Sequence, residues 1–457
     1  DAILQILTNS KLAAYGNRPI CQDTGIVTVF VKQGMDLKWD SDKTIEEMVN
    51  CGVRNAYLDE INPLRASIVK NPISERINTK DNSPAVVHIN LVPGDSLDIS
   101  IAAKGAGSEN KAVLGMLNPS DSIVDFILDE IPKMGAGWCP PGVLGVGIGG
   151  TADKAMVMAK ESLFESIDIQ ELIKKGPSNK IESLRVELYE KINHLGIGAQ
   201  GLGGLTTVLD VKIKDYPTHA ASLPVAIIPN CAANRHVHFR MRGDGAVKLK
   251  PPNLEVWPKT EWSPKETSTR VNLDTLQKKD LENFTLGQSL LLSGKILTAR
   301  DAAHKKLKEL KDNNQPLPDG LDLKNRFIYY VGPVDPVGNE VIGPAGPTTS
   351  SRMDKYSSLM LEDYGVIGMI GKAERGKAAL ESIKKNKVVY LIAIGGAAYL
   401  ISQAIKSSKL IAFPELGMEA IYEFEVKDMP VTLAANTDGD SLHEEGVKKW
   451  NAVLMKN

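Results

Sequence analysis

The sequence predicts an α/β protein of two domains, and three observations carry that prediction. The chain has 457 residues, more than a single hydrophobic core usually serves, so two large units or three smaller ones are expected. Residues 250–285 change character: Pro251-Pro252, Trp257-Pro258 and Trp262-Ser263-Pro264 interrupt a charged stretch. This reads as a linker over 251–285, between an N-terminal domain (1–250) and a C-terminal domain (286–457). Beyond the linker, short apolar runs alternate with helical spacings, the pattern of strands joined by helical crossovers.

Composition excludes several functions. A hydrophobic content of 42% with 24% charged residues is that of a soluble globular protein. A net charge of −2 and only 5% aromatic residues argue against a nucleic-acid-binding surface. No apolar run is long enough to span a membrane. The four cysteines (Cys21, Cys51, Cys139, Cys231) are too few for a disulfide framework in so long a chain and suit a reducing compartment. The chain opens Asp-Ala-Ile-Leu with neither Met nor signal peptide, so we expect a fragment or processed form. The expected compartment is the cytoplasm, with a mitochondrion or other organelle left open.

Residues 1–14 read as the end of a helix. In the loop that follows, Pro19-Ile20-Cys21-Gln22-Asp23-Thr24-Gly25, Pro and Gly bracket a thiol, an amide, a carboxylate and a hydroxyl. That mixture has little packing value and marks a site on a loop. Residues 26–31 are strand-like, and 43–60 have helical spacing up to Asn62-Pro63, with Arg65 on the next loop. Residues 86–92 and 96–102 read as paired strands around Pro93-Gly94-Asp95. The loop 104–111, with Gly105 and Gly107, allows close backbone approach to a ligand and offers an anion nest. A helix over 121–130 is expected to stop at Pro132.

A second cysteine loop, Gly137-Trp138-Cys139-Pro140-Pro141-Gly142, runs into Gly145-Val146-Gly147-Ile148-Gly149-Gly150 and a helix over 152–163. This fits G-x-G-x-x-G formally, but no repeating βαβ pattern surrounds it, so dinucleotide binding is a weak alternative. Helix 182–194, a glycine-rich stretch and strand 207–213 lead to His219 on a Pro-led loop. Strand 223–228 then ends in Pro229-Asn230-Cys231-Ala232-Ala233-Asn234-Arg235.

In the C-terminal half, Leu297-Thr298-Ala299-Arg300-Asp301 opens a helix that Thr298 or Asp301 would cap. After strand 327–331, the small-residue loop Gly343 to Arg352 has the hydroxyls and the guanidinium to cradle a carboxylate or phosphate. Helices 353–362 and 374–386 flank an apolar run, 367–371, that ends at Lys372. Strand 388–394, helix 397–406 and strands at 410–413, 422–426 and 431–433 complete the chain.

Cys21, Cys139 and Cys231 each sit on a Pro-flanked loop, and none belongs to a C-x-x-C pair. Cys51 lies on the amphipathic stretch 43–60 and is assigned to packing. Three loop thiols suit zinc or an iron–sulfur cluster. With three thiolates, a four-iron cluster would leave one iron without a protein ligand, free to act as a Lewis acid.

Five motifs, in order along the chain, resemble the class I, iron–sulfur-dependent fumarate hydratases. They are Cys21-Gln22-Asp23-Thr24-Gly25, Gly135-Ala136-Gly137-Trp138-Cys139-Pro140-Pro141-Gly142, His219 with Cys231, Leu297-Thr298-Ala299-Arg300-Asp301-Ala302-Ala303-His304, and Gly346-Pro347-Thr348-Thr349-Ser350-Ser351-Arg352-Met353. The L-tartrate dehydratases share much of this pattern, but as two separate subunits. The resemblance implies an N-terminal α/β cluster-binding domain, a C-terminal swivelling α/β domain and a homodimer. It implies the reversible hydration of fumarate to L-malate, a step of the tricarboxylic acid cycle, with L-tartrate or a mesaconate-type substrate as the alternative. Cys21, Cys139 and Cys231 match the ligands of a [4Fe-4S] cluster. Gln22, Asp23, Arg65, Gly105, Gly107, Arg300, Thr348, Arg352 and Lys372 match substrate-binding positions. Thr348, Asp23 and His219 match catalytic ones, with Thr348 and His219 both candidates for the base.

Overall fold

A computed structural model describes residues 1–456. Its elements alternate as an α/β chain should, and the core divides into separate apolar clusters. Among the described residues, no helix is long and apolar enough to cross a membrane.

The N-terminal half builds two four-stranded sheets. In the first, Ile26–Gly34 lies between Val86–Val92, to which it runs parallel, and Leu97–Lys104, to which it runs antiparallel; His236–Met241 extends the far edge. Strands 86–92 and 97–104 are therefore not partners of each other, as the sequence reading had them. Val29 and Val31 are wholly buried, and a strand so buried needs partners on both sides. The end of Ile26–Gly34 fills the Pro93 turn: Gly34 N donates to Ser96 O at 2.8 Å and Met35 N to Val92 O at 2.9 Å. A side chain at Gly34 would overlap Gly94 O.

The second sheet runs Val113–Leu117, Leu223–Asn230, Gly142–Gly149, Val208–Tyr216. Gly142–Gly149 is buried at every position, and helix Ala152–Ser162 packs directly on it. Side chains at Gly145 and Gly147 would overlap the Ala159 and Ala155 carbonyls. These glycines lie inside a strand and permit helix–strand contact, so they are not a phosphate loop ahead of a helix. Helix Ile123–Lys133, capped by Ser122, carries Pro132 in its last turn instead of stopping before it.

In the C-terminal half, Ser289–Thr298, Phe327–Tyr329, Gly368–Gly371 and Val389–Ile392 run parallel in that order. Helix Asp301–Asp312, the irregular turns of Ser350–Asp363 and helix Lys377–Asn386 form the crossovers. The long strand Ile421–Ala435 pairs with both Val389–Ile392 and Ser289–Thr298, so the sheet closes on itself. It runs unbroken through the two short strands expected at 422–426 and 431–433. Part of the stretch read as linker, Thr269–Asn272, is a strand of this sheet, parallel to Ser289–Thr298.

Helix Ala2–Tyr15 joins the halves through Asn9, which is fully buried. Its amide donates to Ile20 O and Gly396 O, both at 2.9 Å, and accepts from Tyr399 N and Leu400 N.

Candidate active site

Strand register brings the three loop thiols to one end of the N-terminal half. Val143 pairs with Asn230, so the start of Gly142–Gly149 meets the end of Leu223–Asn230, and Cys139 comes beside Cys231. Ile26 pairs with Lys104 and His236 with Ala102, so the Cys21 loop and the Cys231 loop leave the first sheet at the same end. Cys139 is buried in a left-handed conformation (φ +59°) next to the cis Pro140-Pro141 bond. Cys21 and Cys231 are half-buried.

The C-terminal half meets this end with the carboxyl ends of its parallel strands, where open α/β sheets bind ligands. Arg300 follows Thr298, Lys372 follows Gly371, and Gly395 lies just past Ile392. The small-residue loop lies against the same rim. Thr348 N donates to Tyr330 O at 2.7 Å, and Lys372 N donates to Thr348 O at 3.2 Å. Thr348 is itself buried. A Cβ at Gly346 would overlap the buried Gln22 side chain, so any larger residue there would displace it.

Asp23 occupies the anion nest that the sequence suggested for a ligand. Its carboxylate accepts from Ala106 N at 2.9 Å and from Gly25 N at 3.2 Å, and Arg65 Nη2 stands 3.7 Å away. Burial favours the neutral acid, but Arg65, Arg235, the Ala106 N–H and Lys372 outweigh it and hold the pKa below the ordinary carboxylate value. Gly105 is close to both Asp23 and Arg235, and Gly107 to Lys372, so side chains at either would crowd the site.

Cations dominate the rim. Lys372 Nζ lies 2.7 Å from Cys139 Sγ. Burial opposes its charge, but the facing thiols of Cys139, Cys21 and Cys231 raise its pKa. Burial also pushes the Cys139 thiol up, against the pull of Lys372. Arg65 is held down to about 10 by burial and by neighbouring Arg300, and Arg352 is lowered by the same two causes. Arg300 pairs with Glu419 at 3.3 Å, and Arg352 with Asp301 at 3.1 Å. Cations pressed together in this way destabilise one another until an anion arrives.

Arg300 is the N-cap residue of helix Asp301–Asp312, with no side-chain cap. Thr298 bonds instead to Tyr422 N and Ala420 O, and the free Ala302 N–H goes to Glu419 Oε2 at 3.1 Å. His304 is wholly buried behind Arg300. Its Nδ1 lies 2.7 Å from Arg300 O, which can only accept, so Nδ1 carries the proton. Nε2 is buried with no partner.

Of the expected site residues, His219 is the one not brought here. It is exposed on the loop before Leu223–Asn230, at the opposite end of that strand from Cys231, roughly 25 Å away at strand rise. Its Nδ1 accepts from Ala221 N at 3.1 Å, a local turn contact. Sequence reasoning missed Arg235, Glu419 and Gln200. Only Arg235, four residues after Cys231, carried a local signal.

The rim fits an anionic group bound to sulfur. Three thiols face a surplus of buried positive charge, and Arg235 Nη1 is buried without a partner. Among the described residues, no three His, Cys, Asp or Glu side chains converge closely enough for a single ion.

Comparison with known sequences gives the family. The family profile described as "Fumarate hydratase (Fumerase)" matches residues 1–240, and "Fumarase C-terminus" matches residues 243–446. The chain is 32% identical to "Fumarate hydratase class I, anaerobic" of Escherichia coli, over 99% of this chain and 84% of that one. This chain belongs to the class I fumarate hydratase family. Within that family of hydro-lyases it is also 33% identical to "Fumarate hydratase 2" of Leishmania major, over 96% of this chain and 79% of the relative. A third relative covers one half only: "Putative L(+)-tartrate dehydratase subunit alpha" of Methanocaldococcus jannaschii, 43% identical over 53% of this chain and 85% of the relative. The two profiles meet between the halves described above, so both halves of the fumarase pattern lie in one chain.

Proposed function

We propose that this chain catalyses the reversible hydration of fumarate to L-malate, with Cys21, Cys139 and Cys231 holding a [4Fe-4S] cluster. The observation that carries this reading is the meeting of three thiols with a cation clamp at one rim. When bound, such a cluster supplies Lewis acidity toward the substrate hydroxyl.

The chain's own residues supply the rest. Arg300, Arg352, Lys372 and Arg65 bind the two carboxylates, and charge-assisted pairs to guanidinium fix their orientation. Gln22, Gly105 and Gly107 complete the pocket wall. In the dehydration direction Thr348 takes the proton from C3, the electron pair of that C–H bond becomes the C2–C3 double bond, and the C2 hydroxyl leaves and takes up the proton removed from C3 to become water. A threonine hydroxyl is a weak base unless activated, and Asp23, held ionised, is the group that activates it. His219 serves such a site only if a second copy of the chain brings it there, which ties its role to the homodimer. A reducing compartment, cytoplasmic or organellar, suits the four free cysteines.

The likeness of the N-terminal half to a tartrate dehydratase subunit favours one second reading, in which the same clamp holds tartrate or a methylated fumarate. Anaerobic reconstitution with iron and sulfide, then turnover of fumarate, tartrate and mesaconate, separates the two. Fumarate is expected to turn over fastest; negligible fumarate turnover by cluster-loaded protein sinks our reading. Serine at Cys21, Cys139 or Cys231 is expected to abolish the cluster's electron paramagnetic resonance signal, and Cys51→Ser to spare it.

A further inference from the structure

Arg235 has no part in the reading above, yet it is one of the most constrained cations in the molecule. It follows Cys231 by four residues at the start of strand His236–Met241. Both its backbone and its side chain are tied to one partner residue. Ala103 N donates to Arg235 O at 3.0 Å, and Arg235 Nε donates to Ala103 O at 2.9 Å. The guanidinium plane is therefore fixed, with its two terminal nitrogens directed away from the strand.

Those nitrogens enter the site. A Cβ at Gly105 would lie 3.3 Å from Nη2, so a side chain there would press on the guanidinium. Nη1 is buried and without a partner. Cys21, Cys231 and Asp23 are the neighbours that favour its charge, and Cys21 is also within reach of its side chain. Asp23 is already engaged by Gly25 N, Ala106 N and Arg65, which leaves the sulfur side. A buried charged donor left unpaired is costly, and a guanidinium pinned with a spare N–H fits an acceptor that arrives later.

We propose that Arg235 is a positioning residue for the sulfur-bound group, donating from its free Nη1–H to the sulfurs between Cys21 and Cys231. This rests on the assignment of those cysteines as cluster ligands. Hydrogen bonds to sulfur and nearby positive charge raise the potential of an iron–sulfur cluster. Arg235 would thus favour the reduced form, while the substrate clamp is built from other residues.

The test is a redox titration of reconstituted wild type, Arg235→Gln and Arg235→Lys, followed by electron paramagnetic resonance. In Arg235→Gln the oxidised-to-reduced ratio at fixed potential is expected to rise at least tenfold, which for one electron is a fall of 59 mV. Arg235→Lys keeps the charge without the planar fork, so its potential is expected to lie between the other two. It carries the test if Arg235→Gln fails to fold. Equal potentials for wild type and a loaded variant overturn this role and leave the cluster assignment intact. A folded wild type that takes up no iron and sulfide overturns both.

Discussion

The two halves reach the same rim by different routes. The N-terminal half delivers its thiols through antiparallel register, pairing Val143 with Asn230 and Ile26 with Lys104, so that loops far apart in sequence leave their sheets at one end. The C-terminal half delivers its cations through parallel topology, since Arg300 and Lys372 each follow the carboxyl end of a parallel strand. Parallel topology places a site in general terms. Antiparallel register places particular atoms, and a slip of one residue would turn a side chain to the other face. On the proposed reading, anchoring belongs to the first half, and clamping and proton transfer to the second.

Thr348 tests that division most severely. Thr348→Val removes the proposed proton acceptor and keeps the shape of the side chain. Turnover is expected to fall about 10²–10⁴-fold, the range of a general base, while the resonance signal of the cluster stays as in wild type. A fall in turnover of less than about tenfold would move the base elsewhere; loss of the signal would show that the halves do not divide the work.

How much of this was legible in the sequence follows the same division. The Cys21 loop stood out because a thiol, an amide, a carboxylate and a hydroxyl lie side by side, and all four remain at or next to the site. The α/β character of the C-terminal half was legible because its strands and helices alternate. Partnership across sequence distance was not. Residues 86–92 and 96–102 looked like a hairpin because only the turn between them is local; that Ile26–Gly34 inserts between them follows from burial of distant residues. The glycines from Gly145 to Gly149 resembled a phosphate loop because the requirement for close packing and the requirement for phosphate approach select the same residue. The distance of His219 from Cys231 within one chain was not legible, because a motif records that two residues share a function without recording that a strand separates them. Gln200 and Glu419 had no signal, since each acts only on backbone or side chains brought to it by the fold.

His304 sharpens the comparison from the clamp side. Its pKa is pushed down to about 4 by burial, from an ordinary value of 6.5, because protonating Nε2 would bury an N–H with nothing to accept it. Between those values the unfolded chain binds a proton that the folded chain refuses, so stability falls as the pH drops from about 6.5 toward 4. The loss is expected to be on the order of 3 kcal/mol at 1.36 kcal/mol per pKa unit. Urea denaturation of metal-free protein across this range, compared with His304→Phe, isolates the contribution. A variant as pH-sensitive as wild type would show that other groups carry the dependence.

The smallest expected effect falls at the joint between the halves. Gln200, in a left-handed conformation at φ +59°, donates from Nε2 to Pro140 O and to Gly395 O, both at 3.1 Å, and accepts from Gly395 N at 2.8 Å. One amide thus ties the residue after Cys139 to the carboxyl end of a C-terminal strand, and the backbone at Gly395 packs so closely that a Cβ there would press on Cys139 Sγ. Gln200→Ala keeps the backbone strain but leaves the Gly395 N–H buried and unpaired, a cost of about 1–3 kcal/mol. Gln200→Glu should cost more, because an oxygen then faces the Pro140 and Gly395 carbonyls in place of the donor. If Gln200 only adds stability, both variants lower the denaturation midpoint and still hold iron and sulfide as wild type does. If it also fixes the thiol-bearing loop against the cation rim, Gln200→Glu loses the cluster on gel filtration under conditions where the folded wild type retains it. We expect the second outcome, because Cys139 immediately precedes Pro140, and its Sγ packs against Gly395.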